Sequence, residues 1–339
     1  MKKLFALVLA AVMVLGCVSA LAESDPYASL GNYTMIVGHA QPEGNPRYIS
    51  MESFAKDVAE KTHGHVTVEV FGNGQLGTEK EMLEQVVQGV TQGMRGGQFD
   101  FSPRLLMFTL PFLTNTRAEV TALLQSDLAK KVCAEAEETT GTVIINLCDA
   151  GGYRQFSNSK HPIKTPADLV GLKMRTNGMK TIDMTFQAMG ATTTTIPYSD
   201  LYMGLKTGVA DGQENPWVNV EGMKFYEVQK YITEIHYKVW IGPIVVNAAW
   251  FKKQPADVQK AILEGGRLAT ENNRKMIAEM ETDLVKVLKD KGVEILAKPE
   301  DEPVWQEKAM GVWPQFYDKI GDISLLDTMM KSLGRTRPQ

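Results

Sequence analysis

Apolar and polar residues follow two periods along this chain, and their order predicts an α/β protein. Residues alternate weakly from Tyr33 to His39, and valines at every second position mark 66–71, so both segments are predicted as strands. Between them, apolar residues recur with helical spacing on one face, at Met51, Phe54, Ala55, Val58 and Ala59. Up to Cys148 the predicted order is βαβαβααβ, which is typical of an α/β fold.

The rest of the chain continues this pattern. β-branched or apolar runs predict further strands at 90–94, 142–148, 173–175, 192–196, 231–237 and 244–248. Capping signals and apolar periodicity predict helices after Thr78, after Thr116, at 127–139, at 179–189 and, as one long helix, from Ala256 to about Lys291. At 1.5 Å per residue the long helix would span on the order of 50 Å, more than one domain needs, so we expect it to brace two lobes.

Two changes of pattern divide the chain into these lobes. The first crossing is expected at Gly151-Gly152 and the return crossing near Val239 to Pro243. About 310 residues remain after the N-terminal segment, which is enough for two domains. The predicted boundaries are a linker at 23–31, lobe I at 32–151 and 240–278, lobe II at 152–239 and 279–310, and a helical tail at 311–339 that packs back on the surface.

The first 22 residues are predicted to be a signal peptide. Lys2 and Lys3 precede an apolar run from Leu4 to Leu15, and Ala20-Leu21-Ala22 is a cleavage site of the A-x-A type. The apolar run is too short to span a bilayer, which takes roughly 18 residues. Leu15-Gly16-Cys17 offers an alternative in which Cys17 is lipidated. Either way we expect an exported protein, in the periplasm or on the outer face of the cell membrane.

Composition and cysteines narrow the function classes. The chain has 339 residues, of which 44% are hydrophobic, and a formal net charge of −4. This balance argues against a nucleic-acid partner, and any anionic ligand must be captured by local arginines. Cys133 and Cys148 could form a disulfide after export, but their predicted places on a helix and the next strand favour buried thiols.

Motifs for cofactors and catalysis are weak. Gly72 to Gly77 fits G-x-G-x-x-G, yet the acid expected about 20 residues further on is missing. The five histidines form no His-x-x-x-His pair, and neither Cys-x-x-Cys nor Gly-x-Ser-x-Gly occurs. Asp211 and Glu214 could be an acid/base pair, but a turn explains Asp211-Gly212. We therefore expect no cofactor, no metal and no catalysis.

The segment from Pro197 to Trp217 is the most distinctive one, with four polar side chains in the five positions from Asp211 to Asn215. Ser199 is predicted to cap a short helix at 200–207, and a strand follows that ends in Asp-Gly-Gln-Glu-Asn-Pro. Pro216 favours an extended Asn215, whose amide can then face a cleft. The alternative from the residues alone is that Asn215 caps a helix beginning at Pro216.

This segment resembles the signature of the substrate-binding subunits of tripartite ATP-independent periplasmic (TRAP) transporters. The match runs through Pro197-Tyr198-Ser199-Asp200-Leu201-Tyr202 and on from Leu205 to Pro216. Gln75-Leu76-Gly77 and Leu110-Pro111-Phe112-Leu113 agree with the same family, and the resemblance covers roughly residues 32 to 320. It implies an α/β, two-lobed periplasmic-binding-protein fold with mixed sheets, a cleft between the lobes and one long helix bridging both.

The resemblance also implies which residues bind a ligand. Arg175, at the end of the Gly-Leu-Lys-Met-Arg strand, falls on the family's carboxylate-clamping arginine, which can hold a carboxylate through two parallel hydrogen bonds. Arg154 and Asn215 complete the polar shell, and Tyr198 falls on the aromatic residue that packs against the ligand. From the residues alone, an arginine at a strand end is more often part of a surface ion pair.

In the first lobe the expected ligand contacts are His39, which ends the first strand, and Arg95 and Gln98. These two lie in a Gly-rich loop that is shorter than in the family. Our hypothesis is that Arg95 or Gln98 binds the end of the ligand distant from the carboxylate. The alternative for Arg95 is that it is a charged residue on the protein surface without a role in binding. The polar residues Asn177, Gln98 and His39 favour a sugar acid such as a hexuronate, with C4-dicarboxylates and 2-oxo acids as alternatives.

The predicted function is therefore solute binding. The resemblance implies a protein, expected to be a monomer, that captures a small organic acid between closing lobes and presents it to a sodium-driven TRAP permease of two membrane subunits. One alternative is a protein that presents its ligand to a membrane sensor. Another is the binding protein of an ABC importer, which the Asp-Gly-Gln-Glu-Asn motif disfavours.

Overall fold

Most of the chain folds into two mixed β-sheets with helices packed on them. The computed structural model describes residues 25, 27–28, 31–97, 101–299 and 301–339. The predicted signal peptide, the alternative lipidation site at Cys17, most of the 23–31 linker and Gln98 therefore lie outside the described residues. We call the first sheet with its helices the first lobe, and the second sheet with its helices the second lobe.

The first sheet consists of β1 (Tyr33–His39), β2 (Val66–Phe71), β3 (Gly93–Arg95), β4 (Thr142–Tyr153) and β10 (Val239–Asn247). Their order is β2-β1-β3-β10-β4. β1 is parallel to β2 and β3, whereas β10 is antiparallel to β3 and β4. The helices of this lobe include α1 (Pro46–Lys61), α2 (Glu79–Gln88), α3 (Arg117–Gln125) and α4 (Asp127–Thr140).

The second sheet consists of β5 (Gln155–Asn158), β6 (Lys173–Thr176), β7 (Thr192–Thr195), β8 (Gly212–Asn215), β9 (Tyr231–Thr233) and β11 (Glu294–Leu296). Their order is β11-β9-β5-β8-β6-β7. β6 is parallel to β7 and β8, and β5 is antiparallel to β8 and β9. Its helices include α5 (Lys180–Ala188), α6 (Leu201–Lys206) and α7 (Trp217–Gly222). The prediction of a two-lobed α/β fold with mixed sheets is confirmed.

The chain passes between the lobes along β4 and β10, and the sequence analysis did not predict that these two strands pair there. The predicted strand 142–148 continues to Tyr153, and the predicted strand 244–248 begins already at Val239, where it pairs with Tyr153. Within β4, Asp149 Oδ1 accepts the N–H groups of Gly151 and Gly152 at 3.0 and 2.6 Å, and both glycines have positive φ. The lobe boundaries given above stay a prediction.

Two other predicted strands are shorter than expected, because their backbone groups bond elsewhere. In the predicted strand 90–94, Val90 and Thr91 donate their N–H groups to the Gln85 carbonyl oxygen and so belong to the end of α2. In the predicted strand 231–237, the Tyr237 carbonyl oxygen accepts the N–H of Phe112 in the first lobe at 2.6 Å. The ladders are therefore limited to Gly93–Arg95 and Tyr231–Thr233.

After the short helix α8 (Ala248–Lys252), the predicted long helix is present as α9 (Ala256–Asp290), with 35 residues. Val258, Ile262 and Ala269 belong to the apolar core around β1 and α1. Leu284 and Leu288 belong to a different core, with Trp217 and Phe225 of the second lobe. One rigid element thus contributes to the cores of both lobes.

The C-terminal segment forms α10 (Glu302–Met310), α11 (Tyr317–Ile320) and α12 (Ser324–Ser332). These helices pack back on the rest of the protein, and Trp305 and Trp313 are fully buried. Trp313 Nε1 donates to the Pro111 carbonyl oxygen at 3.0 Å, so its indole covers the Leu110–Leu113 segment. The tail therefore completes the core, because a large aromatic side chain gains most when both its ring and its N–H find partners.

The two cysteines of the described chain are free thiols, as predicted. Cys133 lies partly buried in α4 and Cys148 fully buried in β4. Cys148 Sγ lies 2.9 Å from Thr270 Oγ1 of α9. Burial raises the pKa of the Cys133 thiol to about 12, so it stays protonated and unreactive at neutral pH.

Candidate ligand-binding site

Two adjoining cavities lie in the cleft between the lobes. The outer one has a volume of about 170 Å³ and the inner one about 20 Å³, and Glu79, Asn177 and Tyr198 line both. The outer cavity is otherwise lined largely by small and polar residues, including Thr78, Lys80, Thr195 and Ser199. The inner cavity is lined by charged and amide side chains, including Arg47, Arg154, Arg175, Asn215 and Asn219.

Arg175 lies near the end of β6 with 2% of its surface exposed. Its Nε donates to the Ile196 carbonyl oxygen at 2.7 Å, while its Nη2 is buried with no hydrogen-bond partner among the described residues. Burial lowers the pKa of Arg175 to about 10, so the guanidinium is still charged at neutral pH. A charged donor that lines a cavity without a partner is well placed to bind an anion.

Arg47 is a second donor of this kind, and the sequence analysis missed it. It lies in the first turn of α1, where the N-cap Asn45 accepts its backbone N–H at 2.9 Å. Its Nη2 donates to Asn219 Oδ1 of the second lobe at 3.3 Å, and its Nε is buried without a partner in the described chain. The signal that could have found it is the helix start at Asn45-Pro46 after β1, since ligands of α/β sheets bind beyond the carboxyl ends of strands.

Arg154 lines the inner cavity but is largely occupied by a neighbouring carboxylate. Its Nε and Nη2 both donate to the side chain of Glu214, with Nη2 2.7 Å from Oε1. Its guanidinium also lies 4.6 Å from the centre of the Trp240 ring. The hydroxyl of Tyr237 donates to the same carboxylate, so this buried ion pair is well satisfied within the protein.

Asn215 holds Arg154 and the second-lobe wall together. Its Oδ1 accepts from Arg154 Nη2 at 3.1 Å and from Asn219 Nδ2 at 2.9 Å. Its Nδ2 donates to Gln213 Oε1. α7 begins at Trp217 with Pro216 at the N-cap, so the alternative that Asn215 caps this helix is wrong. Asn215 instead ends β8 and faces the cleft, as its position before Pro216 predicts.

Residues 37–320 match the family of bacterial extracellular solute-binding proteins, family 7. The chain belongs to this family. It is 30% identical over 299 residues to the C4-dicarboxylate-binding periplasmic protein of Shewanella loihica, covering 87% of this chain and 88% of that protein. It is 34% identical over 256 residues to the uncharacterised protein y4mM of Sinorhizobium fredii, covering 74% of this chain but only about half (47%) of y4mM.

A solved structure agrees with this assignment. The TRAP periplasmic solute-binding protein of Sulfitobacter sp. NAS-14.1, with bound β-D-galacturonate, superposes with a TM-score of 0.82 at 26% identity, covering 87% of this chain and 98% of that one. The Pro197–Pro216 signature predicted a TRAP-type solute-binding protein located in the periplasm, and both parts of this prediction are confirmed.

In this solute-binding protein, Tyr198 contacts both lobes. Its hydroxyl donates to Gln41 Oε1 of the first lobe at 3.3 Å, and its ring meets Phe225 edge-on at 6.1 Å. Asn177, which lines the same cavities, accepts the Met179 N–H at 3.3 Å.

The predicted capping role of Ser199 is wrong. Its hydroxyl donates to Asp200 Oδ1, and a 3-10 turn at Tyr198–Asp200 leads directly into α6.

Arg95 and His39 are placed behind the cleft wall instead of in it. Neither residue lines either of the two cavities found in the described part of the chain. Arg95 Nη1 donates to the Arg47 carbonyl oxygen at 3.3 Å and to the Ser50 hydroxyl, so it supports the first turn of α1. His39 Nδ1 accepts the Gln41 N–H at 3.2 Å, and burial, with Arg95 and Arg47 nearby, lowers its pKa to about 3. His39 is therefore neutral and fixes the Gln41 backbone.

The Gly72–Gly77 turn uses its N–H groups inside the protein. Asn73 donates to the Gln41 carbonyl oxygen at 2.9 Å and Gly74 to the His39 carbonyl oxygen at 3.1 Å. A dinucleotide phosphate would need free N–H groups of this kind, and these two are already bonded within the protein.

Across residues 31–97, 101–299 and 301–339, we find neither a cluster of His, Cys, Asp and Glu that could hold a metal ion nor a helix long and apolar enough to cross a membrane.

Lys238 is a buried lysine immediately before β10, beside the Arg154–Glu214 pair. It is 4% exposed, and its Nζ lies 5.1 Å from the centre of the Trp240 ring without a hydrogen-bond partner in the described chain. Burial lowers the pKa of Lys238 to about 7, although Glu214 acts in the opposite direction. The charged form of this side chain therefore destabilises the folded protein.

Lys238→Met is expected to stabilise the ligand-free protein by about 1 to 3 kcal/mol near neutral pH, the usual cost of a buried polar group without a partner. Because the pKa of Lys238 is lower in the folded than in the unfolded state, the unfolded state binds more protons between about pH 7 and 10.5, and wild-type stability rises with pH there. The advantage of the variant should be largest below this window and smallest above it, where only the cost of burying the neutral amine remains.

Urea unfolding at several pH values across this window measures the effect. Lys260→Met, at an exposed position of α9, removes the same charge and should show no such pH trend. A constant advantage of Lys238→Met at every pH would contradict the argument.

Proposed function

We propose that this protein captures a small organic acid, a sugar acid such as a hexuronate or a C4-dicarboxylate, and delivers it to a sodium-coupled TRAP permease in the membrane. One observation carries the proposal. Arg175 and Arg47, from different lobes, line the same inner cavity, and each keeps a buried guanidinium nitrogen without a partner among the described residues. A carboxylate bound there would satisfy both.

The charges around the inner cavity favour an anion. Arg154 is balanced by Glu214, so Arg47 and Arg175 leave an excess of positive charge at the inner end even when Glu79, which also lines this cavity, is counted. A guanidinium holds a carboxylate through two parallel hydrogen bonds, and these bonds are stronger where the surroundings exclude water. The inner volume of about 20 Å³ is close to what one water molecule occupies, and it suits one small anionic group at a time.

Binding and lobe closure are coupled through the same residues. Arg47 Nη2 and Asn45 Nδ2 of the first lobe both donate to Asn219 Oδ1 of the second lobe at 3.3 Å, and Tyr198 bonds to Gln41. A carboxylate shared by Arg47 and Arg175 would add to these contacts and so stabilise the closed form. The closed form is the one we expect the permease to recognise, and the protein delivers the acid chemically unchanged.

A thermal-unfolding screen of the exported chain, residues 23–339, tests the proposal. Galacturonate, succinate and 2-oxo acids are compared with galactose, a neutral sugar of matched size. A ligand that binds only the folded state at 100 times its Kd stabilises it by about 2.7 kcal/mol, so acids should raise the melting temperature and galactose should not. Stabilisation by galactose equal to that by the acids would refute the carboxylate site, and mass spectrometry that finds the acid converted would refute binding without turnover.

A further inference from the structure

Glu79 places a negative charge at the junction of the two cavities. It is the first residue of α2, and it lines both the inner and the outer cavity. Its Oε2 accepts the Gly97 N–H at 3.3 Å, which holds the carboxylate against the first-lobe wall. A ligand whose carboxylate occupies the inner cavity must therefore pass this side chain to reach the outer one.

The neighbouring backbone explains why Glu79 faces the cleft. A Cβ at Gly97 would lie 1.7 Å from Trp240 Nε1, so the indole packs directly on the backbone of this Gly-rich segment. At Gly96 a Cβ would lie 3.5 Å from Glu79 Cδ. The segment thus contributes no side chain at these two positions, and Glu79 supplies the polar group of this wall.

An ionised carboxylate accepts hydrogen bonds and donates none. Ligand hydroxyl groups can donate to Glu79, and in the outer cavity Thr78, Thr195 and Ser199 offer hydroxyls of their own. A second carboxylate on the ligand would instead face a like charge. Lys80, the one cation that lines the outer cavity within the described residues, is exposed to solvent and compensates little for this repulsion.

We propose that Glu79 determines specificity: it accepts hydrogen bonds from the hydroxyl groups of a polyhydroxy monocarboxylate and excludes ligands with a second carboxylate at the other end. This inference rests on the proposed carboxylate site at Arg175 and Arg47 and narrows its ligand class. The alternative is a purely structural Glu79, which would stabilise the N-terminus of α2 and the Gly97 backbone without contacting the ligand.

The test compares two ligands that differ at one end. Galactonate and galactarate share their carbon chain, one carboxylate and the same four hydroxyl-bearing carbons, but galactarate ends in a second carboxylate. We expect the wild-type protein to bind galactonate about 100-fold more tightly than galactarate by titration calorimetry, because placing like charges next to each other is strongly unfavourable. Glu79→Gln should reduce this ratio to roughly 10-fold or less, mostly by a gain in galactarate affinity.

Glu84→Gln is the matched control, because it removes the same charge from an exposed position of the same helix. It should leave the galactonate-to-galactarate ratio as in the wild type. The specificity role is overturned if the wild-type protein binds both ligands equally, or if Glu79→Gln weakens both by the same factor, as a structural role predicts. Binding of neither acid, with galactose still bound, would overturn the carboxylate site itself and is distinguishable from both of these results.

Discussion

Arg175→Met is expected to weaken the binding of organic acids severely while the protein remains folded. The substitution keeps most of the side-chain volume but removes the guanidinium that lines the inner cavity, whose buried Nη2 has no partner among the described residues. Removing one member of a buried, hydrogen-bonded charge pair costs about 2 to 5 kcal/mol, or roughly 30- to 4,000-fold in affinity. Titration calorimetry with an acid that stabilises the wild-type protein measures this loss.

Two further observations make the result specific. Arg175→Lys keeps the charge but loses the planar pair of donors, so it should bind more weakly than the wild type and more tightly than Arg175→Met. The ligand-free melting temperature of Arg175→Met should stay close to that of the wild type, since the lost bond to Ile196 is offset by removal of a buried, incompletely paired charge. Retention of wild-type affinity in Arg175→Met would show that the clamp lies elsewhere.

Local motifs predicted the second-lobe side of the site. Arg175 lies near the end of one short strand and Asn215 ends another, and the resemblance of their flanking motifs to the TRAP signature, more than strand position alone, predicted that they face the cleft. Arg47 and Glu79 were missed because neither lies in such a motif. Both are first-turn residues of helices, and they reach the cavity only because α1 and α2 follow parallel strands of the first sheet.

The remaining differences arise from contacts between distant segments. Arg154 was expected to be open to the ligand, but Glu214, sixty positions away, occupies two of its nitrogens. Arg95 was expected in the loop wall, yet Ser50 and the Arg47 backbone hold it behind that wall. The extension of β4 to Tyr153 depends on pairing with Val239. The periodicity of apolar residues predicts which face of a helix or strand is buried, but it does not predict which distant residues the buried polar side chains contact.

The Arg154–Glu214 pair gives the second large effect. Glu214→Gln is expected to destabilise the ligand-free protein by about 3 to 5 kcal/mol, because it leaves the charge of Arg154 buried without its counter-ion. The hydroxyl of Tyr237 would also lose its charged acceptor. Urea unfolding at neutral pH, with the slope compared between variants, measures the change in the free energy of unfolding.

A second variant separates this explanation from simple loss of packing. If the penalty is the unpaired charge, Arg154→Met in the Glu214→Gln background should recover a substantial part of the lost stability, since the buried cation is then gone as well. Additive destabilisation by the two substitutions would contradict the ion-pair argument. The double variant should still bind the acid more weakly than the wild type, because Arg154 also fixes Asn215, which lines the inner cavity beside Arg175. The pair would then serve both the stability of the second lobe and the shape of the site.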